Sequence, residues 1–392
     1  MASSIHQDRP LIGLAVETST SYGRQVVRGV MRYAVTDRRW RFMEDFRRQL
    51  DDPMQWAHCD GIITDARPEA FIRELRKRVR HVVSCSGGLK PGICPTVSVD
   101  EAALGELAAN HLCDLGIKHF AFYPLAGRFY TLAERRFAGF RNALAKHDHA
   151  CTEFRAELKG PVMVTYAATS HRKALVKWLN AMPKPLGVLT TDDYAARDLL
   201  AVCADAGIAV PDDITILGIN NDELYCETSF PTLSSVDCGF ERLGFAAAEL
   251  LHQSMNGQLP KKPIPAIHFA PRGIVPRAST EVLAVDDSDL AEALRYIREH
   301  ACDPCNVKQV VSETSISRRK LEKKCLAQLG TTLHDQIITV RLKKVRTLLL
   351  RNDLDIDEVA QLSGFSTTQL NRVFKKEVGQ TPSDWRQLRA KS

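Results

Sequence analysis

IDEVAQLSGFSTTQLNRVFKKEVG, residues 356–379, repeats at a distance of 49 residues the stretch VKQVVSETSISRRKLEKKCLAQLG, residues 307–330. Val307 matches Ile356, Val310 matches Val359, Ser317 matches Ser366, Leu321 matches Leu370, Cys325 matches Phe374 and Gly330 matches Gly379. The apolar members fall where two short helices joined by a tight turn bury their facing sides. Ser317 and Ser366 stand where a side-chain oxygen can cap the second helix of each copy, accepting a bond from an orphan N–H. Gly330 and Gly379 stand where a helix C-terminus needs a residue tolerant of positive φ. The spacing therefore predicts two helix-turn-helix units, over about 307–329 and 356–378.

In each unit the second helix turns polar residues outward. In the first copy these are Arg318, Arg319, Lys320, Glu322, Lys323 and Lys324; in the second they are Thr367, Thr368, Gln369, Asn371, Arg372, Lys375 and Lys376. Arg, Gln and Asn are the side chains that read base edges in the major groove, while Lys and Thr commonly reach phosphate. The pattern over Leu333–Leu350 predicts a long helix between the units. If that helix is rigid, the two recognition helices can enter successive major-groove turns, roughly 34 Å apart. Thr381-Pro382 then opens a last helix, with Thr as N-cap and Pro at the first helical position.

Working outward, the segments Asp289–Ala301, Val307–Ser312, Arg318–Leu329, Leu333–Leu350, Ile356–Leu362, Thr367–Val378 and Pro382–Leu388 all read as helices, and no other part of the chain is all-helical. Residues 289–392 hold 19 Lys+Arg against 13 Asp+Glu, so the chain's whole formal net charge of +6 resides there. Localised basicity is the electrostatic footprint of a nucleic-acid binder. A helical protein-interaction module with solvated charged faces is the competing reading, and it leaves the repeat, the caps and the charge without a common cause. EVLAVDDS, residues 281–288, reads as a linker.

Residues 10–280 alternate short Val/Ile-rich runs, such as Leu11–Val16, Gly61–Thr64, His119–Tyr123, Gly187–Thr190 and Thr215–Ile219, with amphipathic stretches. Such alternation predicts parallel strands joined by crossover helices. The length suits two α/β lobes with a ligand cleft between them, at the carboxyl ends of the strands. Polar groups directly after the runs are the candidate ligand contacts: Thr18–Arg24, which holds Tyr22 and Arg24, then Asp65, Ser98–Asp100, Asp192–Asp193 and Asn220–Asp222. The same residue types also serve as turn residues and helix caps.

Other classes find little support. No run approaches the roughly 20 apolar residues of a membrane span, and Met1–Pro10 lacks a signal-peptide core. Eleven cysteines, an odd number scattered from Cys59 to Cys325, suit a reduced cytoplasmic chain. Cys302 and Cys305 have CxxC spacing but no second pair or nearby His pair to complete a metal site. There is no phosphate loop and no activated nucleophile; Ser84 and His119 read as core or turn residues, and the adjacent Asp192 and Asp193 need not face one bond. No catalytic residue, metal or cofactor is expected.

The stretch Ile356–Arg386, with IDEVAQLSGFS, NRVFKKEVGQTP and WR, resembles the AraC/XylS family DNA-binding domain over about a hundred residues. From Phe365 to Phe374 it is one residue shorter than that family usually is, which leaves open which of Thr367, Thr368 and Gln369 face the bases. Residues 10–277 resemble the sugar-binding core of LacI-type repressors. The carriers are Val99-Asp100 with Leu104-Gly105, the RFAGF run 136–140, Asp192-Asp193, and ILGINN at 216–221. That resemblance implies a type 1 periplasmic-binding-protein-like sensor in which Asp100, Arg136, Asp192 and Asn220 grip sugar hydroxyls. Many family members carry Asp at the position of Asn220. The two domains in this order, together with SYGRQVVRGV (21–30), EDFR (44–47) and HFAFY (119–123), resemble bacterial regulators that join a pentose sensor to such a DNA-binding domain. The resemblance implies a cytoplasmic homodimer that takes D-xylose, binds double-stranded operator DNA and engages RNA polymerase as an activator. A different monosaccharide, or a repressor, is the alternative. Arg128, Phe129 and Tyr130 adjoin the expected cleft and bear on what fits it.

Overall fold

The computed structural model describes residues 9–37, 40–47, 49–65, 67–124, 130–154, 169–260, 262–282, 287–349 and 354–390. The chain divides into two compact units, Met1–Val282 and Leu283–Ser392.

The first unit contains two six-stranded sheets. One is formed by β1 (Leu11–Ala15), β2 (Arg41–Glu44), β3 (Gly61–Thr64), β4 (His81–Ser84), β5 (Thr96–Val99) and β11 (Ala266–Phe269), in the order β11-β5-β4-β3-β1-β2 and parallel throughout. The other is formed by β6 (His119–Tyr123), β7 (Cys151–Glu153), β8 (Leu186–Thr190), β9 (Ile214–Ile219), β10 (Ser234–Asp237) and β12 (Gly273–Val275), in the order β12-β10-β9-β8-β6-β7. Only β12 runs antiparallel to its neighbour. The central strands are buried along their whole length, as with GIIT in β3 and ITILGI in β9. That explains why they read as continuous apolar runs rather than alternating ones.

The chain crosses between the sheets three times: after Val99, after Asp237 and between Phe269 and Gly273. These crossings are tied together by backbone bonds, from Asp100 N–H to Phe269 O (2.8 Å) and from Arg272 N–H to Asp237 O (2.7 Å). Each sheet with its covering helices forms one lobe. Helices α1 (Ser21–Asp37), α2 (Glu69–Leu75) and α8 (Phe240–Met255) cover the first. Helices α3 (Glu101–Asp114), α4 (Tyr130–Lys146), α5 (Thr169–Ala181), α6 (Asp193–Asp205) and α7 (Glu223–Thr228) cover the second.

Two pairs of helices pack with their backbones in near contact, and glycine makes this possible. A Cβ on Gly105 of α3 would lie 2.3 Å from the Phe140 nitrogen, and one on Gly139 of α4 would lie 2.8 Å from the Ala102 Cα. A Cβ on Gly244 of α8 would lie 2.0 Å from the Val26 carbonyl of α1. The RFAGF run is thus a packing signature as well as a site signature.

The second unit is all helix: α9 (Ser288–His300), α10 (Val307–Ser312), α11 (Arg318–Leu329), α12 (Leu333–Leu349), α13 (Ile356–Leu362), α14 (Thr367–Val378) and α15 (Pro382–Ala390). The repeat partners Val310 and Val359, Leu321 and Leu370, and Cys325 and Phe374 are all fully buried. They belong to two separate cores. Leu333 and Ile337, from the start of α12, join the first; Leu342, Val345, Leu348 and Leu349, from its end, join the second. One helix of 17 residues, about 25 Å long, is therefore a shared wall of both helical cores. Gly330 (φ 68°) and Gly379 (φ 82°) end α11 and α14 in the left-handed conformation. Of the linker expected at 281–288, residues 283–286 lie outside the described residues; Asp287 caps α9 through Leu290 N–H at 3.0 Å.

Candidate functional site

Between the two lobes lies a cavity of about 150 Å³, a volume that suits a molecule about the size of a six-membered ring. The first lobe contributes Thr20, Tyr22, Ser86 and Ser98, and the second contributes Glu101, Arg136, Thr191, Asp192 and Asn220. Phe240 and Leu243 of α8 supply an apolar wall. Tyr22 stands edge-on to Phe240 with ring centroids 4.8 Å apart, and its hydroxyl donates to the Cys85 carbonyl at 2.5 Å.

Arg136 is buried and fixed from two sides. Its Nε donates to Glu101 Oε2 at 2.6 Å, and its Nη1 donates to the Thr191 carbonyl at 2.5 Å. Burial works against the cation, but Glu101 more than offsets it and holds the guanidinium above its usual range. A guanidinium has five N–H donors, and these bonds leave some to face the cavity. Asp192 caps α6 through Ala195 N–H at 2.8 Å while also lining the cavity. Burial pushes its carboxyl up, against the opposing effect of that amide and of Arg136. Asn220 leaves β9 with φ at 106° and Asn221 follows at 48°. Backbone in such regions costs on the order of 1–3 kcal/mol; here the turn directs Asn220 into the cavity. Asn221 is pinned within its own lobe, its amide on Ser235 Oγ (2.9 Å) and its Oδ1 on Arg277 Nη1 (3.0 Å).

Tyr22, Arg136, Asp192 and Asn220 thus meet at one cavity, whereas Arg24, Asp65, Asp100 and Asp222 do not line it. Asp100 spends its carboxylate on the N-terminus of α3, accepting from Ala102 and Ala103 N–H at 3.0 Å each. Asp65 accepts from Glu17 N–H at 3.0 Å and lies 3.7 Å from Arg67 Nε. Arg24 and Asp222 line a separate, open cleft beside α1 and α8. The cap role that competes with ligand contact for Asp residues after strands accounts for Asp100 and Asp222. Sequence reasoning missed Glu101, Thr191 and Ser86, whereas Thr20 and Ser98 fall within the expected stretches Thr18–Arg24 and Ser98–Asp100. Glu101 and Thr191 adjoin Asp100 and Asp192, so the right strand ends were identified but not every side chain that lines the cavity. Arg128, Phe129 and the side chain of Tyr130 lie outside the described residues.

In the helical unit, Arg318, Arg319, Lys320 and Lys323 on α11 are exposed, as are Thr368, Gln369, Asn371, Arg372 and Lys375 on α14. Four of the expected base or phosphate readers carry local structural duties, among them Asn371, whose Nδ2 donates to the Thr367 carbonyl at 3.1 Å. Glu322 accepts from Leu333 N–H at 3.2 Å, at the start of α12. Thr367 donates its hydroxyl to Asp357 Oδ1 at 2.6 Å. Gln369 accepts from Ser366 N–H at 3.2 Å in a reciprocal capping box. Ser317, the counterpart of Ser366, makes no such cap bond. Lys324, half-exposed, grips Asp287 at 2.6 Å and Asp289 at 2.7 Å. Arg341 of α12 satisfies carbonyls of the turn that holds Cys302 and Cys305, donating to Ala301 O at 2.6 Å and Cys305 O at 3.1 Å. Among the described residues no cluster of His, Cys, Asp and Glu could hold a metal ion, and no helix is long and apolar enough to cross a membrane.

Residues 109–280 match the periplasmic binding protein-like domain family, and residues 310–388 match a helix-turn-helix domain family. Over 391 residues, covering 97% of this chain and 97% of the relative, the sequence is 32% identical to the xylose operon regulatory protein of Escherichia coli strain K12. The xylose operon regulatory protein of Haemophilus influenzae is 30% identical over 384 residues, covering 96% of this chain and 97% of its own. The solved structure of the xylose-binding transcription activator xylR superposes with a TM-score of 0.80 at 31% identity, covering 97% of this chain and 99% of that one.

Proposed function

The chain belongs to the family of the xylose operon regulatory proteins, which are transcription regulators and not enzymes, and we propose that within it this protein is an activator of pentose catabolism genes that takes D-xylose as its effector. The sugar occupies the cavity between the lobes, and its binding favours the state in which the helical unit engages operator DNA. A ligand shifts such an equilibrium only by its difference in affinity for the two states, and a ligand that touches both lobes has that difference built in.

The observation that carries this reading is the cavity's composition. Arg136, Asp192 and Asn220 offer a guanidinium, a carboxylate and an amide to one small space. Together these groups supply the directional donors and acceptors that hydroxyls demand, and Phe240 and Tyr22, set edge to face, provide an apolar wall beside them. We assign Tyr22, Arg136, Asp192 and Asn220 to the sugar. To DNA we assign Arg318, Arg319, Lys320 and Lys323 of α11 and Thr368, Asn371, Arg372 and Lys375 of α14. The protein acts in the cytoplasm as a homodimer, whose two-fold axis matches repeated half-sites, and it contacts RNA polymerase when bound. Asn220 favours one variation on this reading. An amide both donates and accepts, so another pentose with a different hydroxyl orientation is the second candidate effector. Calorimetry of the full chain with D-xylose, D-ribose and L-arabinose tests the proposal; no heat with any of them contradicts it.

A further inference from the structure

Asp222 was expected to touch the ligand, and the fold gives it other work. It follows Asn220 and Asn221 at the end of β9, in the second lobe. Its Oδ2 accepts from the Ser21 backbone N–H at 2.9 Å, and Ser21 is the first residue of α1, in the first lobe. Arg24 Nη2 lies 3.5 Å from the same oxygen. The Asp222 side chain is only 7% exposed, so this is a buried bond across the cleft and not a surface contact.

Three features make that contact specific. First, α1 is 17 residues long and has no acidic residue in its first turn. Its positive dipole end and Arg24 both favour an anion there, and the anion comes from the opposite lobe. Second, the position of the helix end is fixed, because a Cβ on Gly23 would lie 1.7 Å from the Glu17 carbonyl. Third, Asp222 is itself held, its own N–H donating to Asp193 Oδ2 at 2.7 Å, while Asn221 is pinned to Ser235 and Arg277. On each side of the cleft the contact is continuous with the cavity wall: Thr20 and Tyr22 flank Ser21, and Asn220 stands two residues before Asp222.

We propose that Asp222 is a closure latch, a positioning residue that joins the lobes through the N-terminus of α1 and so links occupancy of the cavity to lobe closure without touching the sugar. The proposal rests on the cleft being the effector site. Sugar and latch draw the same two segments together, so each stabilises the state in which the other forms. Losing the latch lowers the population of the closed state, and apparent affinity falls by that same fraction. Every ligand loses the same factor, because the latch discriminates among none of them.

The test uses the full chain and three variants, Asp222→Ala, Asp222→Asn and Asn220→Ala, each read by calorimetry with D-xylose and D-ribose. Hydrogen exchange of the segment 18–26 is followed with and without sugar. Asp222→Ala is expected to weaken both sugars by a common factor on the order of tenfold, the effect of losing one charge-assisted hydrogen bond, and to speed exchange at the start of α1 even without sugar. Asp222→Asn, which keeps an acceptor but not the charge, is expected to fall between. Asn220→Ala is expected to change the ratio of the two sugars and leave exchange in unliganded protein as it was. A changed sugar ratio in Asp222→Ala, or unaltered exchange at 18–26, overturns the latch. If the wild type binds neither sugar, the effector reading fails, and the exchange of the unliganded variants still decides whether Asp222 holds α1.

Discussion

Arg136 and Glu101 form a buried ion pair on the wall of the cavity, Nε to Oε2 at 2.6 Å, with both side chains only 9% exposed. Removing one partner leaves the other as an uncompensated buried charge, which costs about 3–5 kcal/mol. Glu101→Ala is therefore expected to lose stability of that order in urea unfolding, whereas Glu101→Gln, which keeps a carbonyl acceptor, loses less. The pair also bears on ligand charge. With Glu101 neutralising Arg136 and Asp192 close by, the cavity has no spare cation for an anionic ligand among the described residues. Like charges brought together cost several kcal/mol. D-xylonate and D-xylose 5-phosphate are expected to bind at least about a hundredfold more weakly than D-xylose in competition calorimetry. Equal affinity would show that the pair opens to receive an anion.

The close helix contacts give a stability prediction. A methyl group at Gly105 meets the backbone of Phe140, and one at Gly244 meets the backbone of Val26. Backbone cannot swing aside as a side chain can, and overpacking typically costs 1–3 kcal/mol. Gly105→Ala and Gly244→Ala should each lower the urea midpoint accordingly. Wild-type midpoints for both would mean that the helices can separate at little cost.

These glycines also mark how far the sequence could be read. Gly105 and Gly139 stood out only as family signatures; their physical meaning is a close contact between two helices, Gly105 against Phe140 and Gly139 against Ala102, which no local pattern encodes. The repeat was legible because its code is local: apolar spacing, Ser at the cap and Gly at the C-terminus recur at fixed offsets. Parallel buried strands such as Gly61–Thr64 were legible for the same reason. Weakly patterned edge strands such as Arg41–Glu44 and Ala266–Phe269 were not. In the cavity, the strand ends were readable but the division of labour was not. Asp100, Asp192 and Asp222 all follow strands and all cap helices. Only the three-dimensional arrangement separates the one that also lines the cavity from the one that reaches across the cleft. Glu322 and Thr367 looked like readers of DNA because exposed polar side chains on a second helix look alike until their neighbours, Leu333 and Asp357, are known.

A pH dependence follows from Asp193. Burial pushes its carboxyl well above the ordinary range, and its bonds to Ser235 and the Asp222 amide only partly counter that; Asp192 and Asp222 add to the rise. A carboxyl raised in the folded state contributes stability that is fully present below its unfolded value, near 3.9, and is lost as pH rises toward its folded value. Asp193→Asn removes the titration. The difference in stability between variant and wild type is therefore expected to shift in favour of the variant as pH rises above about 4. Urea unfolding at a series of pH values checks the sign, and a shift in the opposite direction contradicts it.

On DNA the two helical units are expected to behave unequally. Arg319→Ala on α11 and Arg372→Ala on α14 should each cost ~1–3 kcal/mol of specific binding if the side chains reach bases. Lys323→Ala should weaken all sequences alike and reduce the slope of affinity against salt by about one counterion. Thr367→Val is expected to act through stability, by losing the bond to Asp357, while Thr368→Val changes binding alone. Gel-shift affinities at several salt concentrations, set beside unfolding midpoints, separate these effects.

The central claim is that a sugar held between the lobes governs DNA binding by the helical unit. The most direct measurement is the affinity of the full chain for a duplex selected from a random pool, titrated with and without saturating D-xylose at one fixed salt concentration. The account predicts that the sugar tightens binding to a duplex with two half-sites about one helical turn apart, and that Asn220→Ala, which leaves the Arg136–Glu101 pair in place, weakens the response while leaving sugar-free binding intact. Affinity that is the same with and without sugar, for D-xylose and for the other pentoses alike, would contradict it.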